Sequence, residues 1–219
     1  MYKTRESKAL HDSLCANVFK KFTDQVGGDP EYLTQQLFNR FVVDDFAYGD
    51  DLYFHGIFKY FEEKVVPHKV AVYQAGIGLI EEDWFDFLKV SKDMFRYNLF
   101  VHDLSKFSAA EAFGYAMHDF KNPKPETKEQ FERSWHHHKM NNPHHPEYWL
   151  NPNRKGKLEV LEMPNIYLAE MIADWIGAGK TYNTPLKEWV VDNFGKFVFG
   201  KETGRKAYFI LSNLGIDLI

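Results

Sequence analysis

The chain has 219 residues, a formal net charge of −4, 44% hydrophobic and 26% charged residues, and one cysteine. That size and balance fit a single soluble domain with a sizeable core, and the mild acidity argues against a general nucleic-acid or membrane-surface footprint. The lone Cys15 excludes an internal disulfide and a cysteine-rich zinc site, and it fits a reducing compartment.

MYKTRESKALHDSL lacks the apolar core of a signal peptide. No run approaches the roughly 20 apolar residues that span a bilayer, so a soluble cytoplasmic protein is expected. Aromatic residues make up 17% of the chain, which reads as an aromatic-rich core, with a base-stacking surface as the sharper alternative.

In residues 5–26, Leu10, Leu14, Val18, Phe19 and Phe22 recur at helical spacing and predict one apolar face. GGDP closes that helix, and Asp29 followed by Pro30 predicts the N-cap and first residue of the next, DPEYLTQQLFNRF. FAYGDD reads as a turn and DDLYFHGIFKYFEEKV as a short helix. Pro67 is expected to open a new helix, PHKVAVYQAGIGLI, and marks the one soft boundary, near residue 66. EEDWFDFLKVSKDMFRYNLFVHDLSKF reads as one long helix or as two with a bend.

In SAAEAFGYAMHDF, Ser108 and Glu111 stand at capping-box spacing. NPKPE reads as a linker and TKEQFERSWHHHK as helix. NNPHHPEYWLNPNRKGK is expected to be loop, because Pro143, Pro146 and Pro152 each interrupt a helix. MPNIYLAEMIADWIGAGK predicts a strong helix ending near Gly177 and Gly179, followed by two shorter ones, PLKEWVVDNFGKF and ETGRKAYFILSNLG. With no strand alternation and no internal repeat, the fold class is all-α.

Five of the ten histidines fall within residues 136–145, in SWHHHKMNNPHHPEYW. Such a run can be a metal site, a polar patch or a pH-sensitive surface. Elsewhere, His102 and Asp103 are adjacent and offer one nitrogen and one oxygen to a divalent cation. Lys106 shares their helix face and is either a phosphate contact or a solvated charge. Glu111 either orients a water or ligand or is simply the acid of the capping box. Asp174 lies among Ile172, Ala173, Trp175 and Ile176, where a carboxylate is costly to bury unless paired or on a metal. Glu170 lies one turn earlier on the same face. Two further pairs, His11-Asp12 and His118-Asp119, read as surface residues. There is no P-loop, dinucleotide fingerprint or HExxH motif.

The order His68, then His102-Asp103, then a histidine cluster, then Asp174 resembles the HD-domain superfamily of metal-dependent phosphohydrolases. HDLSK is similar to the HDxxK form of its dinuclear branch. The longer pattern, HK…HDLSKFS…E…WxxHxxxNPHHPEYW…EMIADW, resembles an HD-like subfamily of unknown function found in bacteria, phages and large DNA viruses. The likeness covers about residues 66–178. It implies an HD-domain-like helical bundle with extra N- and C-terminal helices: residues 1–65 as an extension packed on the core, 66–180 as the metal-binding core, and 181–219 as further helices of the same domain.

The resemblance also implies a ligand set. His68, His102, Asp103 and Asp174 hold one metal; His138 with His144 or His145 recruits a second, bridged by Asp103. His136 and His137 leave the helix on other faces than His138, so at least one should face solvent or support a ligand. His138 and His145 are seven apart, but Pro143 breaks the helix that would align them. The implied cofactor is one or two divalent ions, from Mn, Fe, Co, Ni, Zn or Mg. The implied reaction is attack of a metal-activated water on a phosphomonoester or phosphodiester, with a nucleotide among the candidate substrates. Asp103, Lys106 and Glu111 are the catalytic candidates, and Lys106, Asn142, Tyr148 and Trp149 the substrate contacts, the last two as a lid. Two other readings stand beside it: a non-enzymatic binding or structural protein with a vestigial or structural metal site, and a di-iron oxygenase. A small phosphorylated partner is expected, with no membrane and no general nucleic-acid binding; a homo-oligomer is left open.

Overall fold

The structure is a computed structural model that describes residues 5–41, 51–120, 125–153 and 155–218. Most of the turn read at FAYGDD and of the linker NPKPE lies outside these residues, as do the side chains of Leu10, His11, Leu14 and Cys15. In chain order the helices are α1 (Arg5–Val26), α2 (Pro30–Arg40), α3 (Asp51–Tyr60), α4 (Val66–Ile80) and α5 (Lys92–Val101). They continue with α6 (Ala109–Phe120), α7 (Pro125–Asn141), α8 (Asn165–Tyr182), α9 (Leu186–Asn193) and α10 (Lys201–Asn213). The one sheet among the described residues is a hairpin of β1 (Leu150–Pro152) and β2 (Leu158–Val160), so the fold is all-α. None of the described helices is long and apolar enough to cross a membrane.

The chain divides into two compact units, each drawn from two stretches: 1–70 with 101–141, and 71–100 with 142–219. In the first unit, the expected face of α1 buries Val18, Phe19 and Phe22, and α2 buries Leu33 and Leu37. Phe107 sits between Phe19 and Phe61, with ring centroids 4.7 Å away on either side. Helix α2 starts as predicted: the Asp29 side chain accepts from the Glu31 amide at 2.8 Å, and Pro30 fills a first-turn position that needs no donor.

The expected break at Pro67 does not occur. Helix α3 runs into α4 through a widened π turn, Phe61–Val65, in which the Val66 amide bonds back to the Phe61 carbonyl. Proline has no N–H and its ring crowds the carbonyl four residues back, and a widened turn relieves both. His68 and Lys69 therefore emerge from a helix that is already running.

The segment read as one or two helices around HDLSK is in fact three short pieces. A 3-10 turn, Asp83–Leu88, stops at Lys89 in the left-handed region (φ 53), α5 follows, and a second 3-10 turn, Leu104–Phe107, follows Asp103 at φ 56. His102 and Asp103 thus lie in a turn, not on a helix.

The second unit is centred on Phe85, Phe95, Leu99, Leu168, Ile172 and Ile210, all fully buried. Gly177 lies in the last two turns of α8, near the expected end; the helix runs to Tyr182 and is capped by left-handed Asn183. Its role is close approach, since a Cβ there would stand 2.6 Å from the backbone nitrogen of Val72 on α4. Alanine would favour the helix by about 1 kcal/mol, but overpacking against backbone costs about 1–3 kcal/mol. Gly177→Ala is therefore expected to lower Tm in a thermal scan, and a rise would disprove the close crossing.

The loop expected at residues 141–157 contains strand β1, whose partner is β2, with Leu150 opposite Val160. Asn153 closes the turn by accepting from the amides of Lys155 (2.9 Å) and Lys157 (3.0 Å), and Gly156 supplies the positive φ of 73°. Pro152 stands at the end of its strand, where a missing donor is tolerated.

Exposed Glu162 caps α10 from outside the helix. Its carboxylate accepts from the Thr203 hydroxyl (2.7 Å), the Thr203 amide (2.8 Å) and the Glu202 amide (3.2 Å). Those bonds, the Thr203 hydroxyl first, hold its carboxyl below the usual range. A depressed pKa stabilises the fold at neutral pH, and the benefit is lost as pH falls through the folded-state value. Glu162→Ala is expected to cost about 1 kcal/mol at pH 7, as for a lost cap, and nothing in strong acid. Equal losses of Tm at both pH values would contradict the cap.

Candidate metal centre

In the first unit the site begins with a close helix pair. Gly114 of α6 leaves room for α7, because a Cβ there would lie 2.8 Å from the Gln130 carbonyl, and the Ser134 hydroxyl donates to the Ala110 carbonyl at 2.8 Å. This approach brings Glu111 of α6 against the histidines of α7. Its two oxygens meet His137 Nδ1 at 2.6 Å and His138 Nδ1 at 2.9 Å. Burial alone would raise the Glu111 carboxyl, but hydrogen bonds from His137, His138 and Ser105 hold it below its ordinary range. The capping-box reading of Glu111 is thereby corrected: its carboxylate turns to α7 rather than back to the start of α6.

His138 is buried, its ring flanked by Tyr115 and Trp135 with centroids 5.8 Å away. With Nδ1 on Glu111, its Nε2 faces Asp103 Oδ1 at 3.5 Å. The other Asp103 oxygen has His102 Nε2 at 3.4 Å, His68 Nε2 at 3.5 Å and Lys106 Nζ at 2.7 Å. Three imidazoles and an ammonium therefore ring one buried carboxylate. Burial would raise its pKa, but His102, Lys106, His138 and His68 together hold it well below the carboxylate range. Asp103 is an anion, on a left-handed backbone that aspartate tolerates better than most residues.

In the second unit, α8 presents Glu170 and Asp174 four residues apart on one face. Glu170 Oε1 lies 3.2 Å from His144 Nδ1, and its other oxygen accepts from Asn98 at 3.3 Å. His144 Nε2 lies 3.9 Å from Asp174 Oδ2. His144 sits in a turn in which the Asn142 carbonyl accepts from the His145 amide (3.0 Å), and Asn142 itself is buried. Of the two adjacent histidines, His144 is buried and faces both carboxylates; His145 is half-buried, its ring 4.5 Å from that of His144.

Trp149, expected as part of a lid, instead packs against the core of its own unit and donates to the Pro143 carbonyl at 2.7 Å, pinning the turn. Tyr148 is exposed. His136 is exposed, and His137 supports Glu111. His118 is exposed, beside Asp119, and stacks on Phe131. Glu170 is the residue that sequence reasoning left out of the ligand set. Its signal was there: an acid on an apolar helix, one turn before Asp174.

Both units therefore bring buried clusters of histidine and carboxylate donors of the kind that could hold a metal ion. His68 and His102 offer ring nitrogens within 4.8 Å of one another, and His144 and Glu170 offer ligand atoms within the same distance. The donors are imidazole nitrogen and carboxylate oxygen, ligand types that several divalent metals accept.

An all-α chain with two such clusters has donors that could hold a metal ion. It belongs to the Family of unknown function (DUF5662), whose model matches residues 58–213, a span that includes every residue of both clusters. No curated protein and no solved structure matches the chain.

Proposed function

We propose that this protein is a metal-dependent phosphohydrolase that cleaves a phosphomonoester or phosphodiester. One observation carries the reading: His138 and His144 each have Nδ1 against a buried glutamate and Nε2 turned to an aspartate. A carboxylate on one ring nitrogen fixes the tautomer and makes the other nitrogen a better metal donor. The order of these residues adds the likeness to HD-type hydrolases. That likeness implies His68, His102, Asp103 and Asp174 as ligands of one ion and His138 with His144 or His145 as ligands of a second.

A divalent ion so held supplies Lewis acidity and an acidified water for attack at phosphorus. The protein's own groups divide the remaining work. Asp103 stays anionic and is the carboxylate common to both ligand sets. Glu111 and Glu170 hold His138 and His144 in the donor tautomer. Lys106, with 13% of its side chain exposed, brings a positive charge to the edge of the cluster, where it can take a phosphoryl oxygen.

The reading is tested by assaying the protein, loaded in turn with Mn, Fe, Co, Ni and Zn, against phosphomonoesters, nucleotides and linear and cyclic dinucleotides. Phosphate or nucleotide release that disappears in Asp103→Asn is the expected result. Fe(II)-dependent oxygen consumption without hydrolysis would replace it with an oxygenase, and unfolding of Asp103→Asn without any activity in the wild type would replace it with a structural metal site.

A further inference from the structure

Lys69 is fully buried. Its ammonium donates to the main-chain carbonyl of His102 at 2.7 Å and lies 4.6 Å from the centre of the Phe22 ring. The residue before it on α4, His68, turns Nε2 toward Asp103, 3.5 Å away. Two successive side chains of one helix therefore reach the His102-Asp103 turn, one through the main chain and one through the carboxylate. The turn needs such support, because Asp103 occupies the left-handed region at φ 56.

An ammonium is a costly clamp. Burying one sacrifices its hydration, a loss that its hydrogen bond to the carbonyl only partly offsets. A charge kept at that cost points to a task beyond stability. We infer that Lys69 is a positioning residue for the metal ligands: by fixing the His102 carbonyl it sets the directions in which the side chains of His102 and Asp103 face His68. This rests on the metal-binding reading above, and Lys69 acts through the backbone of the turn.

A cobalt(II) titration of the full chain, followed by its visible absorption, tests it for wild type, Lys69→Met and Lys69→Gln, with thermal unfolding measured alongside. Lys69→Met leaves the His102 carbonyl without this donor and is expected to stay folded with a lowered Tm. It should bind cobalt(II) about 10–100-fold more weakly, as when a supporting group is lost, with an altered spectrum. Lys69→Gln, which keeps a donor, should recover part of the loss. A folded Lys69→Met with wild-type affinity and spectrum overturns the inference and leaves the metal reading standing. No cobalt(II) binding by the wild type defeats the metal reading and this inference together. If Lys69→Met does not fold, Lys69→Gln carries the same readout; if neither folds, Lys69 serves the fold alone and the inference fails.

Discussion

Asp103→Asn should abolish metal-dependent activity while leaving the protein folded. Asparagine keeps the size of the side chain and tolerates the left-handed backbone at φ 56, which alanine would strain. What it removes is the negative charge on which His68, His102, His138 and Lys106 converge. A direct ligand matters more than the groups behind it, whose loss costs about 10–100-fold in affinity. The loss here is therefore expected to exceed about 100-fold, read by competition against a chelator. Circular dichroism should stay unchanged, because Lys106 is close enough to the surface to rehydrate once its partner is neutral. Retained metal affinity in this variant would remove Asp103 from the ligand set.

Glu111→Ala is expected to have the largest effect on stability. It deletes a buried anion and takes the Glu111 acceptor from buried His138, a group left unsatisfied costing about 1–3 kcal/mol, while partly exposed His137 can turn to water. The Tm should fall by several degrees, since about 1 kcal/mol is worth roughly 2–4 °C in a domain of 150–250 residues. Metal affinity should fall as well, by about 10–100-fold, because His138 is no longer held with Nε2 as the donor. Glu111→Gln keeps one acceptor and should fall between the two proteins in both measurements. If Glu111 were only a helix-capping acid, both variants would shift Tm slightly and leave metal affinity untouched.

Glu111 also shows where the sequence stops being readable. Its spacing from Ser108 is that of a capping box, and the same spacing serves a carboxylate aimed at a neighbouring helix. Only the close approach of α6 and α7 at Gly114 decides between them, and that depends on residues 20 positions further along the chain, such as Ser134. Local signals were legible because they act locally. The Val18, Phe19 and Phe22 face of α1 and the Asp29-Pro30 start of α2 need no tertiary information. At Pro67 the local rule misled, because a helix can widen by one residue instead of stopping.

Much of the candidate site was visible as residue types in order. His68, His102, Asp103 and His138 do gather in the first unit, and His144 meets Asp174 in the second. The residues that hold them were harder to see. Glu170 stood on the face of Asp174, but the sequence does not show its contact with His144 at 3.2 Å, and Lys69 gave no sign of being fully buried. Supporting groups are defined by what they touch, and contact between distant stretches is not written in spacing.

The most direct test is the metal stoichiometry of the purified full chain after exposure to Mn, Fe, Co, Ni and Zn, with excess ion removed before elemental analysis. About one or two tightly held ions per chain are expected if the proposed hydrolase reading holds, and Asp103→Asn should retain fewer. A wild-type chain that holds none of these ions would contradict the account.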